Sequence, residues 1–302
     1  MTHSDPGDQF VQREDNAVYE TQEPVLYSVA DGVATLTMNR PDFHNVQNSQ
    51  MTYALDAGFR RAVDDDSVKV IVLRGAGKHF SAGHDIGSPG RDINKPFDRQ
   101  SLWWDHTNKP GAEQLFAREQ EVYLGMCRRW HDIPKPTIAM VQGACVAGGL
   151  MLAWVCDLII ASDDAFFQDP VVRMGIPGVE YFAHAHELNP RIAKEFLFLG
   201  DRMKADRAYM MGMVNRVVPR EELEAQTYEI AGRIAKQPRM GLALTKTVIN
   251  RVEDLQGLRT TMDVAFGYHH FAHAHSQVMG AGQLGGHDAK TMAQANKKDA
   301  KE

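Results

Sequence analysis

The sequence predicts an α/β fold followed by a helical C-terminal region, and three observations carry that expectation. Three short apolar runs, "VKVIVLRG", "PTIAMVQG" and "CDLIIAS", read as buried strands. "NSQMTYALDAGFRRAV", a segment of helical periodicity, precedes them, so strands alternate with helices. Beyond Pro219 the helical period continues with no strand candidate.

Residues 1–22 are polar, acidic and aperiodic, which predicts a disordered tail. Val25–Val29 and Val33–Met38 read as two strands joined by the turn dipeptide Asp31-Gly32. The first helix follows, with Met51, Leu55, Phe59 and Val63 on one face and Asn48 as its N-cap. "GACVAGGLMLAWVCD", residues 143–157, is apolar as far as Cys156 and stops at Asp157. It is short of the roughly 20 residues a membrane span needs. A core helix beginning at Gly148 and the floor of an active site both remain open for it. Past Pro219, "REELEAQTYEIAGRIAKQ" and "MGLALTKTVINRVEDLQGLRTTMDVAFGYHHFAHA" are too amphipathic to stand alone. The resulting division is a tail over 1–22, a core over 23–218, a helical region over 219–278 and a flexible tail over 279–302.

A chain of 302 residues with 43% hydrophobic side chains can bury a sizeable core. A net charge of -6 speaks against a broad nucleic-acid surface, which needs a basic face. Cys127, Cys145 and Cys156 are odd in number and form no CxxC pair, which fits a reducing compartment. The N-terminal residues contain no apolar signal-peptide core, so a cytoplasmic protein is expected. A long loop after Gly87 carries Trp103-Trp104, the composition of a functional lid or a packing surface.

Five segments fall in a familiar order: "NRPDFHNVQNSQM", "KHFSAGHDI", "GACVAGGLMLAWVCDLIIAS", "FFQDPVVRMGIPG" and "LALTKTVIN". Together, over roughly Val25 to Asn250, they resemble the crotonase superfamily, the enoyl-CoA hydratase/isomerase fold. The resemblance implies a crotonase-like spiral of ββα units with a C-terminal helical trimerisation region. It implies an acyl-CoA thioester as substrate, with coenzyme A arriving as part of that substrate and no separate cofactor or metal. It also implies self-association as a homotrimer or a dimer of trimers. The family stabilises a thioester enolate with two backbone N–H groups, and by motif these are His84 and Gly148. Gly148 suits that role because a helix N-terminus offers unpaired N–H groups and a positive dipole end. Phe43, Ala82, Asp85 and Ile86 fall where the family holds the nucleotide of coenzyme A.

The pattern breaks at the acids. Hydratases of the family carry two glutamates, and the matching positions here are Met151 and Val171. Neither can move a proton, and each missing general acid or base costs roughly 10²–10⁴ in rate. Glu180, just after "GIPG", and Asp169 are the candidate replacements, with Glu180 the better placed; Asp157 reads as structural. Isomerisation, atypical hydration and C–C hydrolysis stay open, as does a non-catalytic acyl-CoA-binding protein. Ser81, His84 and Asp85 lie too close in one turn to form a hydrolase relay. His269 and His273, at i,i+4, have a metal-ligand spacing, but no carboxylate or cysteine accompanies them at a matching spacing, so no metal is assigned.

Overall fold

β1 (Val25–Ala30) and β2 (Val33–Met38) form the expected antiparallel hairpin, with Ala30 opposite Val33. The computed structural model describes residues 22–86, 97, 103–106, 109–280, 285–286, 291 and 294. Most of the expected tails over 1–22 and 279–302, and much of the loop after Gly87, lie outside the described residues. α1 (Ser49–Asp64) starts where expected, with the Asn48 side chain accepting a hydrogen bond from the Met51 N–H. β3 (Val70–Gly75) then pairs in parallel with β2.

α2 (Gly111–Glu119) runs through a π-helical turn (Gln120–Gly125) into α3 (Met126–His131). β4 (Thr137–Val141), β5 (Ala144–Val146), α4 (Gly148–Trp154), β6 (Leu158–Ser162) and β7 (Phe166–Gln168) follow in quick succession. The apolar stretch 143–157 is therefore a short strand and a seven-residue helix. α5 (His184–Glu187), α6 (Pro190–Leu199), β8 (Met203–Lys204), α7 (Ala205–Met210) and β9 (Arg216–Val218) complete the mixed part. The rest is helical: α8 (Leu223–Ala235), α9 (Arg239–Leu255) and α10 (Leu258–Val278).

The main sheet has six strands in the order β1-β2-β3-β4-β6-β9, parallel beyond the first pair; β5, β7 and β8 make a second sheet. The unbroken apolar runs of β3 and β4 follow from cover on both faces. Ile71, Leu73, Ala139 and Val141 join the main core with Met51, Leu55 and Phe59 of α1. Their alternates Val70, Val72, Ile138 and Met140 pack with Leu223, Ile230 and Ala231 of α8. α8 thus belongs to the sheet's own cover. All three cysteines are free and buried. Among the described residues, no helix is long and apolar enough to cross a membrane.

Candidate active site

Residues 80–85 run between two neighbouring segments. On one side the N–H groups of Phe80 and Ser81 donate to the Gln142 and Ala144 carbonyls at 2.8 and 3.1 Å. On the other, the Gln47 N–H donates to the Gly83 carbonyl (2.8 Å) and the Asp85 N–H donates to the Gln47 carbonyl (2.9 Å). These last two bonds flank His84, so its own N–H and C=O are turned away from Gln47. The head of α4 lies close by: a Cβ built on Gly83 would stand 3.2 Å from the Gly148 nitrogen.

Ala147, just before that helix, sits at φ 49°, ψ -116°. A non-glycine residue there costs about 1–3 kcal/mol, a strain that concentrates at functional sites. It turns the chain so that Gly148 heads the helix with an N–H that has no acceptor inside it. The paired glycines have separate reasons. A Cβ on Gly149 would meet the Ser81 carbonyl oxygen at 2.5 Å. One on Gly148 would meet the His84 ring at 2.5 Å.

The His84 imidazole is thus part of the site. Its Nε2 is hydrogen-bonded to Glu180 Oε2 at 2.8 Å, and its ring stacks on Tyr123 with centroids 3.7 Å apart. Glu180 is only 3% exposed. Burial pushes its carboxyl up, but the His84 charge and hydrogen bond outweigh this and hold it below the ordinary carboxylate range. Tyr123 is buried and pushed up to about 12, so its hydroxyl stays protonated and accepts a bond from Arg118 at 3.1 Å.

Glu180 also faces a cluster on the opposite flank. Its Oε1 is 3.8 Å from His269 Nε2, and that nitrogen is 3.3 Å from Glu119 Oε2. Burial works against the His269 cation, but Glu119 raises its pKa to about 9. Burial likewise opposes the Glu119 carboxylate, and the imidazoles of His269 and His270 close beside it hold it well below its usual range.

Met151 and Val171 are buried among apolar neighbours in the main core. Asp169 is committed elsewhere: its Oδ2 bonds His184 Nε2 at 2.7 Å, both side chains being fully buried. Asp157 accepts from the Thr137 N–H and hydroxyl and pairs with Lys246, a brace between β4, β6 and α9. Phe43, Ala82, Asp85 and Ile86 gather around one loop. Arg40 sits over the Phe43 ring and pairs with Asp85 at 3.0 Å, and the Ala82 N–H donates to the His44 carbonyl. Asp85 is turned inward on Arg40, leaving Ile86 as the exposed member. Trp103 packs with tilted rings against Trp104 and Phe116 of the same chain.

Sequence reasoning missed Glu119, Tyr123 and the His84 side chain. The carboxylate absent from the neighbourhood of His269 and His273 in sequence comes from α2, 150 residues away.

Residues 28–284 match the family model described as enoyl-CoA hydratase/isomerase. The chain is 42% identical over 263 residues to the Mycobacterium tuberculosis protein named "Putative enoyl-CoA hydratase EchA13", covering 85% of this chain and 82% of that one. It is 31% identical to Escherichia coli 1,2-epoxyphenylacetyl-CoA isomerase, over 83% of this chain and 90% of that one. A crystal structure titled as a probable enoyl-CoA hydratase from Mycobacterium smegmatis superposes with a TM-score of 0.79 at 44% identity, covering 87% of this chain and 99% of that one. By sequence and by fold, the chain belongs to the enoyl-CoA hydratase/isomerase family of the crotonase superfamily.

Proposed function

We propose that the protein is an acyl-CoA enzyme that shifts a carbon–carbon double bond, with Glu180 as the proton carrier and the N–H groups of His84 and Gly148 as the oxyanion donors. The observation that carries this reading is the 2.8 Å bond between Glu180 and the imidazole of His84, the residue whose own backbone N–H is turned away from Gln47. Hydration needs one group to activate water and another to protonate carbon. With Met151 and Val171 at the usual acid positions, Glu180 is, among the described residues, the carboxylate bonded to His84, and a 1,3-proton transfer needs only one. Glu180 takes a proton from C2 of a 3-enoyl thioester, breaking that C–H bond. The electron pair delocalises into a dienolate whose oxygen is held by the two N–H groups. Glu180 then returns the proton to C4, and the double bond lies between C2 and C3. His84 Nε2 holds the carboxylate in place through both transfers.

Incubation with a panel of acyl-CoA thioesters, followed by mass spectrometry and isomer-resolving chromatography, tests the reading. A 3-enoyl-CoA converted to its 2-enoyl isomer supports it. Binding without product on any thioester would instead mark a non-catalytic acyl-CoA binder.

We also infer self-association into a trimer or a dimer of trimers. Met240, Leu244, Val248 and Val252 of α9 form an exposed i,i+4 stripe, and Tyr268 and Phe271 of α10 are 64% and 70% exposed. A second copy of the same helices is the occupant that such a face suits. Sedimentation equilibrium at micromolar concentration should return three or six times the chain mass; a monomer would refute the inference.

A further inference from the structure

We propose that Glu119, His269 and His273 form a buried site for a divalent metal ion of the zinc class, beside Glu180. The three residues come from two helices and are buried, at 6%, 4% and 7% exposure. Their ligand atoms lie within 4.8 Å of one another. His273 Nε2 is 3.1 Å from His269 Nε2, and Glu119 Oε2 is 3.3 Å from the same nitrogen. Ligands bonded at about 2.0–2.1 Å to a tetrahedral ion stand roughly 3.3 Å apart, so the two pairs that share His269 already have the spacing such an ion imposes.

The hydrogen-bond inventory points the same way. His269 Nδ1 lies 3.0 Å from the Gly178 carbonyl, which can only accept, so Nδ1 carries the proton. In the neutral ring that leaves Nε2 with its lone pair aimed at the cluster, the arrangement by which an outer carbonyl orients a metal-binding histidine. Glu119 Oε2 is buried and within ion-pair range of His269 and His270, yet its geometry makes a hydrogen bond to neither. One proton cannot serve an imidazole nitrogen, a second imidazole nitrogen and a carboxylate oxygen together; one cation can. Glu119 and Glu180 add two buried carboxylates around it. Two imidazoles with a carboxylate favour zinc-like ions over magnesium or calcium, which prefer oxygen. Three protein ligands leave a fourth position open.

The test reads binding, not turnover, so it stands apart from the isomerase reading. The full chain, carrying no polyhistidine tag and stripped with a chelator, is titrated with Co(II) alone and then with Zn(II). The expected result is one equivalent of Co(II) with the visible bands of a four-coordinate ion, displaced by one equivalent of Zn(II). His273→Ala and Glu119→Gln should each weaken binding by more than about 100-fold, beyond the roughly 10–100-fold cost of losing an outer hydrogen-bond partner. His186→Ala, outside the cluster, should leave it unchanged. Should either cluster variant fail to fold, the wild-type titration decides alone. No stoichiometric Co(II) binding, bands of six-coordinate Co(II), or unaltered affinity in a folded His273→Ala would overturn the proposal.

Discussion

Glu180→Gln should lower kcat for double-bond migration by roughly 10²–10⁴, the usual worth of a general base. The substitution is nearly isosteric and keeps an acceptor oxygen for His84, so the 2.8 Å contact can survive in altered form. What it removes is the ability to take up and return a proton. Substrate binding should change little, because Glu180 is buried and the loop around Arg40 and Asp85 is separate from it. A large loss in kcat at nearly constant KM is therefore expected from steady-state kinetics on a 3-enoyl-CoA. Wild-type kcat in a folded variant would remove Glu180 from the chemistry.

Gly148→Ala should be nearly as damaging, for a steric reason. The new Cβ would stand 2.5 Å from Cε1 and Nδ1 of His84 and 3.1 Å from Gln47 Nε2. The imidazole has little room to yield, being stacked on Tyr123 and tied to Glu180. Either the ring leaves Glu180 or the head of α4 shifts, and both misplace an oxyanion donor. Losing one such donor costs about 2.7–4 kcal/mol in the transition state, or roughly 10²–10³ in kcat. Gly232→Ala is the control. Its Cβ would meet nothing within 4 Å on α8, so activity should hold and stability should rise by up to about 1 kcal/mol. Kinetics and thermal melts of the two variants separate the site effect from a general cost of adding a methyl group. Unchanged kcat in Gly148→Ala would show that the ring and helix head do not act together.

β1 to β4 and β6 were legible because their burial is local and periodic, whereas the two- and three-residue strands β5, β7, β8 and β9 are too short to show a period. β3 and β4 are covered on both faces, and a continuous apolar run says so without knowledge of what covers them. Asn48 was legible as a cap because capping involves only the next few residues. Gly148 and Glu180 were reached through motif resemblance. The partners of Glu180 were not, for two physical reasons. His84 was read for its backbone, and nothing in "SAGHD" reveals that its ring folds back over a glycine 64 positions later. Glu119 immediately precedes a π-helical turn and Tyr123 lies within it; the turn adds a residue to the helical period and shifts the phase of the faces beyond it. Gly125 permits that turn, since a Cβ there would lie 2.6 Å from the Gln120 carbonyl oxygen. A pattern counted at 3.6 residues per turn cannot foresee this. His269 and His273 showed the right spacing in sequence, but their carboxylate arrives only through the packing of α10 on α2.

With Glu180 as its proton carrier, the site should move a double bond and add water poorly. Offering the unmodified protein a 3-enoyl-CoA and crotonyl-CoA in parallel, in deuterated water, with products followed by mass spectrometry, decides the matter. The 3-enoyl-CoA should be converted to its 2-enoyl isomer, with solvent deuterium entering at C4 as Glu180 exchanges. Crotonyl-CoA should be hydrated well below ordinary enzyme rates, because Met151 and Val171 neither activate water nor deliver a proton. Hydration of crotonyl-CoA at about 10–10³ per second, within the usual range for enzymes, would overturn this and require a second acid at the site.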